Sequence, residues 1–300
     1  MLRLTSGTHG TPGTSASVGG GTAYIARAAV RGLYQEVALE PKPGLVSLRD
    51  NGSHSDMTAA TFMRSLFALR HYFAAIAEAG QRAAPLAVLQ GLGSAAEARM
   101  LQATGGVNTH RGAVFSMGLL CAAAGALTAA GQPLAADRLQ PTLLAQWGDS
   151  LQQMAEAARQ APPRSHGQRA AQRFQLRSAR EEAAAGFPTL FEVTWPALQS
   201  ALASGQALRA AKVHALFATM AVLDDTNLAH RGGLQAMRWA QSQAAAFLAR
   251  GSVWQADWLA QARQLHGAFV ERRLSPGGAA DLIAGACFMH SLQDTAWRTR

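Results

Sequence analysis

Charge is scarce in this chain: 15% of residues are Asp, Glu, Lys or Arg, against about a quarter in an average globular protein. Hydrophobic residues reach 49%, so the scarcity excludes general disorder, which needs the opposite balance. Cysteine is nearly absent. Cys121 and Cys287 both lie in apolar stretches with no CxxC pair, which excludes a disulfide framework and leaves two small buried hydrophobes suited to a reducing compartment. Tyrosine numbers 3, and β-branched runs are few, so a sheet protein is disfavoured. The GxxxxGK[ST] spacing of a P-loop, HxxxH and HExxH pairs and a GxSxG elbow are all missing, which argues against the common phosphate-loop, zinc and serine-nucleophile solutions.

What the chain does have is alanine, about a fifth of its 300 residues, the composition of close-packed helices. Such a length suits one large domain or two small ones and supplies a core without metal or disulfide support. Helical spacing begins near Thr22 with Tyr24, Ala28, Leu33 and Val37, and stops at Glu40-Pro41-Lys42-Pro43-Gly44. A second helix, capped by Ser55 or Asp56, carries Phe62, Leu66, Leu69 and Phe73 on its core face. Others are expected over Leu86–Ala103, from His110 onward, and near 140–159, 168–185, 189–203, 206–222, 232–249, 253–272 and 278–291. The reading is an all-α fold: one domain of about ten helices over 22–292, a flexible Gly/Ser/Thr-rich tail over 1–21 without an apolar leader segment, and a short tail over 293–300.

The stretch from Gly112 to Ala136 carries no charge and is long enough to span a bilayer. It is mostly small residues, with Gln132 and Pro133 near its end, and no second such span exists. It reads as the buried central helix of a bundle, not a membrane anchor. Net charge is +9 and comes almost wholly from arginine, since Lys42 and Lys212 are the only lysines. Guanidinium groups suit phosphate. A basic balance fits nucleic acid, an acidic membrane surface, a polyphosphate small molecule, or simply a solvated surface. No dense Lys/Arg run with interleaved aromatics marks a nucleic-acid groove.

Polar residues gather in loops that interrupt the apolar helices, where sites are usually built. In the first, two prolines fix the backbone around Lys42, which suits a lysine aimed at phosphate or an ordinary turn with a solvent-facing lysine. Asp56, in the following GSHSDM stretch, is a Mg²⁺ ligand or a helix cap. The second loop, Thr104-Gly105-Gly106-Val107-Asn108-Thr109-His110-Arg111-Gly112, pairs glycines whose N–H groups can approach an anion with a helix start and with Thr109 and Arg111 as phosphate contacts. A third places Arg180 and Glu182 on an alanine-rich helix, as a site edge or a solvated face. The fourth, Leu223-Asp224-Asp225-Thr226-Asn227-Leu228-Ala229-His230-Arg231-Gly232-Gly233, sets adjacent acids at the end of an apolar helix, where the dipole disfavours them and a Mg²⁺ ion would explain them. The DDxxD pattern of prenyl-diphosphate synthases fails there, since Leu228 takes the last position. A weaker stretch, LSPGGAAD, puts Asp281 in a first helical turn.

EPKPGLV, GSHSDM, ATGGVNTHRGAVFSMGLLCAAAG, AREEAAAGF, LDDTNLAHRGG and LSPGGAADL occur in this order. Together they resemble the triphosphoribosyl-dephospho-coenzyme A synthases over roughly 22–292, with ATGGVNTHRG and DDTN…RGG the most specific. Ser47 stands where an aspartate often follows KPGLV, and Glu181 where a glycine often precedes Glu182. The resemblance implies an all-helical cytoplasmic enzyme that acts on ATP and 3′-dephospho-coenzyme A, releases adenine, and makes 2′-(5″-triphosphoribosyl)-3′-dephospho-coenzyme A. That product is the prosthetic-group precursor for an acyl-carrier subunit, delivered by an acyl-carrier-protein transferase. The LDDTN wording and the arginine content favour the malonate decarboxylase branch over citrate lyase.

Breaking an N-glycosidic bond passes through an oxocarbenium-like transition state. On that chemistry, Asp224 and Asp225 are expected to hold Mg²⁺-triphosphate, with Asp56 a third carboxylate. Lys42, Arg111 and Arg231 would neutralise phosphate, Gly105 and Gly106 would supply N–H donors, Thr109 would donate to phosphate, and Asn108 and Asn227 would orient ribose hydroxyls. Glu40, His54 and His110 are the candidates for the general base. Two rivals remain: a Mg²⁺-dependent nucleotide or ADP-ribose N-glycosidase, in which water attacks, and a non-enzymatic basic helical binding module.

Overall fold

The computed structural model describes residues 18–294. The expected tails lie mostly outside them, but Val18–Gly21 already form the first turn of a helix and Gln293 ends the last one. Twelve α-helices and no strand occur among the described residues: Val18–Val37 (α1), Ala59–Gln81 (α2), Leu86–Thr104 (α3), Arg111–Ala129 (α4), Ala136–Gln160 (α5), His166–Phe174 (α6), Ala179–Ala184 (α7), Trp195–Ala203 (α8), Leu208–Val222 (α9), Thr226–Ala249 (α10), Trp258–Glu271 (α11) and Gly277–Gln293 (α12). A π-helical turn, Thr189–Thr194, leads into α8, and a 3₁₀ turn, Ser252–Trp254, precedes α11.

The uncharged segment becomes α4, and it is the hub. It packs against α1, α2, α3, α5, α7 and α12. It is the one helix among the described residues long and apolar enough to cross a membrane, and most of it is buried inside the protein. Small residues explain the close packing. A Cβ on Gly80 of α2 would collide with the Ala122 carbonyl of α4, and one on Gly125 of α4 would collide with the Ala77 carbonyl of α2. The two helices therefore touch backbone to backbone, which only glycine permits. α1 and α12 complete this half of the core with Ile25, Leu33, Phe288 and Met289 fully buried.

Three local expectations are corrected. Thr58, not Ser55 or Asp56, caps α2, its side chain accepting from the Thr61 N–H in a reciprocal capping box. The stretch expected as one helix over 168–185 is two, because Gln175 adopts the left-handed conformation at φ 56° and Ser178 starts α7 afresh. The helix expected from 232 begins at Thr226 instead. Gly233, at φ 74° and ψ −177°, is itself non-helical, so α10 is two helical segments joined across a kink.

Candidate active site

A cavity of about 2000 Å³ opens between these helices, well beyond the roughly 300–1,000 Å³ of an ordinary small-molecule pocket. The starts of four helices face it: Asn108–Gly112 at α4, Arg164–Gln168 at α6, Asp224, Thr226 and Asn227 at α10, and Ser275, Gly277 and Gly278 at α12. Helix N-termini present free N–H groups and the positive end of the dipole. Six arginines join them: Arg111, Arg159, Arg164, Arg177, Arg180 and Arg231.

Three of these guanidiniums are spent on acids, Arg111 on Glu97, Arg159 on Glu181, and Arg177 on the buried Glu182 at 3.3 Å. Arg164, Arg180 and Arg231 form no ion pair among the described residues. Burial, and then the neighbouring charge of Arg164, pulls the Arg180 pKa below its ordinary value. Burial does the same to Arg231, against the opposing charge of Asp56. Guanidiniums gathered beside an open cavity outside any ion pair are an arrangement that a polyanion would relieve. The segment 159–180 was not singled out in the sequence except at Arg180, because its arginines face the cavity only once α6 docks on α10.

His54, Asp56, Asn108, Thr109, His110, Arg111, Asp224, Asn227 and Arg231 all line this cavity. Arg231 holds its place by donating to the Ser53 and Arg273 carbonyls at 3.3 and 3.2 Å and to His54 Nδ1 at 3.0 Å. The other ring nitrogen, Nε2, pairs with Ser275 Oγ at 2.9 Å. Burial first, then Arg231, lowers the His54 pKa. It stays a neutral orienting group with both nitrogens engaged. His110 bonds Ser65 Oγ through Nδ1 at 2.6 Å, and its Nε2 is buried with no partner. Burial, then the charge of Lys42, drives its pKa down to about 3. Thr109 Oγ1 and Arg111 Nε are likewise buried without partners. Asn108 accepts from the Arg111 N–H at 3.2 Å.

Other expected residues lie elsewhere. Lys42 is turned inward. Its Nζ donates to the Glu36 carboxylate at 2.5 Å and to the Glu36 carbonyl at 2.7 Å, and both side chains are buried. It cannot reach phosphate; it fixes Glu36, which does line the cavity. Glu40 is not a cavity residue either. It binds Arg209 at 2.5 Å, Arg263 at 3.2 Å and Arg49 at 3.9 Å, tying the turn after α1 to α9 and α11. Gly105 and Gly106 are exposed and outside the lining, since their left-handed φ of 68° and 88° serves the C-terminal end of α3.

The expected Mg²⁺ carboxylates are not brought together. Asp225 is buried, and its two oxygens accept the N–H groups of Asn227 at 2.9 Å, Leu228 at 3.4 Å and Ala279 at 3.1 Å, locking the start of α10 to that of α12. Asp224 accepts from the Arg177 N–H at 3.3 Å, while Asp56 sits with His54, 3.5 Å from its Nδ1. No group of three or more His, Cys, Asp or Glu side chains among the described residues is arranged to hold a metal ion. The donor set therefore does not fit a resident metal centre built from these three acids.

A smaller chamber of about 300 Å³ opens off the cavity between α4, α7, α9 and α12, with Phe187, Val222, Leu223 and Leu282 among its walls. Asp281 lines both spaces, as do Gly112 and Asp224. Asp281 is the site residue least visible beforehand: only the glycine-bearing helix entry before it marked the place.

Over residues 22–300 the sequence matches the family CitG, ATP:dephospho-CoA triphosphoribosyl transferase. It is 38% identical over 257 residues to a probable 2-(5″-triphosphoribosyl)-3′-dephosphocoenzyme-A synthase of Acinetobacter calcoaceticus, covering 86% of this chain and 87% of the relative. A protein of the same name from Azotobacter vinelandii is 39% identical over 270 residues, with 88% and 90% covered. The 2-(5″-triphosphoribosyl)-3′-dephosphocoenzyme-A synthase of Pectobacterium atrosepticum is 40% identical over 258 residues, with 84% and 83% covered. No solved structure matches the chain.

Proposed function

The chain belongs to the CitG family of ATP:dephospho-CoA triphosphoribosyl transferases, and from that premise we propose how its cavity serves the transfer and what the product is for. ATP and 3′-dephospho-coenzyme A occupy the cavity together, and the 2′-hydroxyl of the second displaces adenine from C1′ of the first. The observation that carries this reading is the convergence of four helix starts and three guanidiniums outside any ion pair among the described residues, Arg164, Arg180 and Arg231, on one space of about 2000 Å³. Both substrates are polyphosphates, and both need this kind of lining. Much of the rate enhancement comes from holding two large nucleotides in line.

Mg²⁺ enters as part of Mg-ATP, held by the triphosphate it arrives with. Thr109, Asn108 and Asn227, all in the lining, meet phosphate and ribose hydroxyls. His110 keeps its unpartnered Nε2 neutral at physiological pH and offers it as a hydrogen-bonding group. The product supplies the prosthetic group of an acyl-carrier subunit through a carrier-protein transferase, in the malonate decarboxylase system, with citrate lyase the second reading. The chain works in the cytoplasm, where ATP is available.

The test is an adenine-release assay with and without 3′-dephospho-coenzyme A, with mass analysis of the products. Adenine formed only with the acceptor, in step with a joined product, is the expected result. Adenine and free ribose triphosphate without acceptor would make the protein an N-glycosidase. No release, with ligand binding that weakens steeply in salt, would make it a binding module.

A further inference from the structure

We propose that the small chamber receives the adenine of ATP and that Asp281, at the chamber's junction with the large cavity, is a catalytic residue that gives a proton to N7 of the departing base. The inference rests on the transfer reaction above and names the group that manages its proton.

The placement comes first. Asp281 stands at the junction of the large cavity and the chamber and lines both. The chamber is sized for one ring system, not a whole nucleotide, and its Phe187, Val222 and Leu282 walls suit the faces of a purine. Gly112, which lines both spaces, lets the Asp281 carboxyl lie close against the start of α4, since a Cβ there would collide with Asp281 Oδ2. A base seated in the chamber and a triphosphate among the helix starts would leave C1′ near the junction.

Charge accounting then selects Asp281 as the proton carrier. Two acids, Glu36 and Asp225, act on Asp281 here. Glu36 is compensated as an anion by Lys42. Burial raises the Asp225 pKa as well, but three backbone N–H groups oppose that rise. Asp281 has the Ala113 N–H and no ion pair among the described residues. Burial first, then the charges of Glu36 and Asp225, raise its pKa well above the usual carboxylate range. A carboxylic acid kept neutral in this way can donate.

The step balances. The bond between the acceptor 2′-oxygen and C1′ forms as the C1′–N9 bond breaks, and the electron pair of the broken bond leaves with adenine. The carboxyl proton passes to adenine N7. The 2′-hydroxyl proton returns to the carboxylate, so Asp281 ends as it began.

The experiment compares ATP with its analogue methylated at adenine N7, whose base leaves neutral without accepting a proton. For Asp281→Asn, adenine release from ATP should fall about 10²–10⁴-fold relative to the wild-type chain. Release of 7-methyladenine from the analogue should stay within about tenfold of wild type, because the proton is no longer needed. Equal losses with both donors, or near-normal release from ATP, would overturn the proposal. Asp281→Ser, read by the same pair of ratios, replaces the asparagine variant if that fails to fold. The wild-type chain gives an independent readout: a solvent deuterium effect on release that is present with ATP and collapses with the analogue is expected, and equal effects would overturn the role. A wild-type chain that releases no adenine at all would instead refute the transfer activity.

Discussion

The turn after α1 carries Glu40 and Lys42, and the turn before α10 carries Asp224 and Asp225. Both are polar interruptions of apolar helices, and both suggest phosphate chemistry. Their charges meet different fates. Glu40 and Lys42 are consumed by partners, three arginines for the one and Glu36 for the other. Around the second turn the surplus runs the other way, with Arg164, Arg180 and Arg231 beside the cavity and in no ion pair among the described residues. A charge marks a binding surface only if the fold has not already neutralised it. Which charges are neutralised depends on contacts distant in sequence, such as Glu40 with Arg209 and Arg263.

Three substitutions press on this contrast. The largest effect belongs to Lys42→Met. It leaves Glu36 as an uncompensated charge in the interior and should cost about 3–5 kcal/mol of stability, measured as the denaturant midpoint with an unchanged slope. A midpoint like that of the wild type would mean that Lys42 is free for another task. Next is Arg180→Ala. It removes a guanidinium that is in no ion pair among the described residues, so the KM for ATP should rise about 10–100-fold, the size of a lost charge-assisted contact, while the midpoint holds. A falling midpoint with an unchanged KM would move Arg180 from the binding set to the structural one. Smallest is Glu40→Gln, which loosens a partly exposed cluster. It should cost at most about 1 kcal/mol and leave adenine release intact. Loss of turnover without loss of stability would return Glu40 to the candidates for general base.

The sequence made the scaffold legible where local pattern decides the outcome. A charge-free stretch of small residues has to be buried, and α4 is. Proline and glycine breaks located most helix ends. It was less legible where pairing decides. Nothing local says that Lys42 folds back one turn to Glu36, or that Asp225 caps its own helix and also accepts from Ala279, 54 positions away. His54, Asn108, Thr109, His110, Arg111, Asp224, Asn227 and Arg231 were named from loops and do line one cavity. In the sequence Asp281 shows only as an acid in the first turn of a glycine-bearing helix entry, which carries no sign of the cavity it lines.

The backbone contact between α2 and α4 at Gly80 and Gly125 also limits how this architecture can diversify. An interior already closed to the width of a peptide group has no side-chain volume to trade away. New substrate preferences must therefore be written at the mouths of α6, α7 and α12 and in the segments joining them. The glycine-bearing wall behind stays as fixed as the hinge plate of a door.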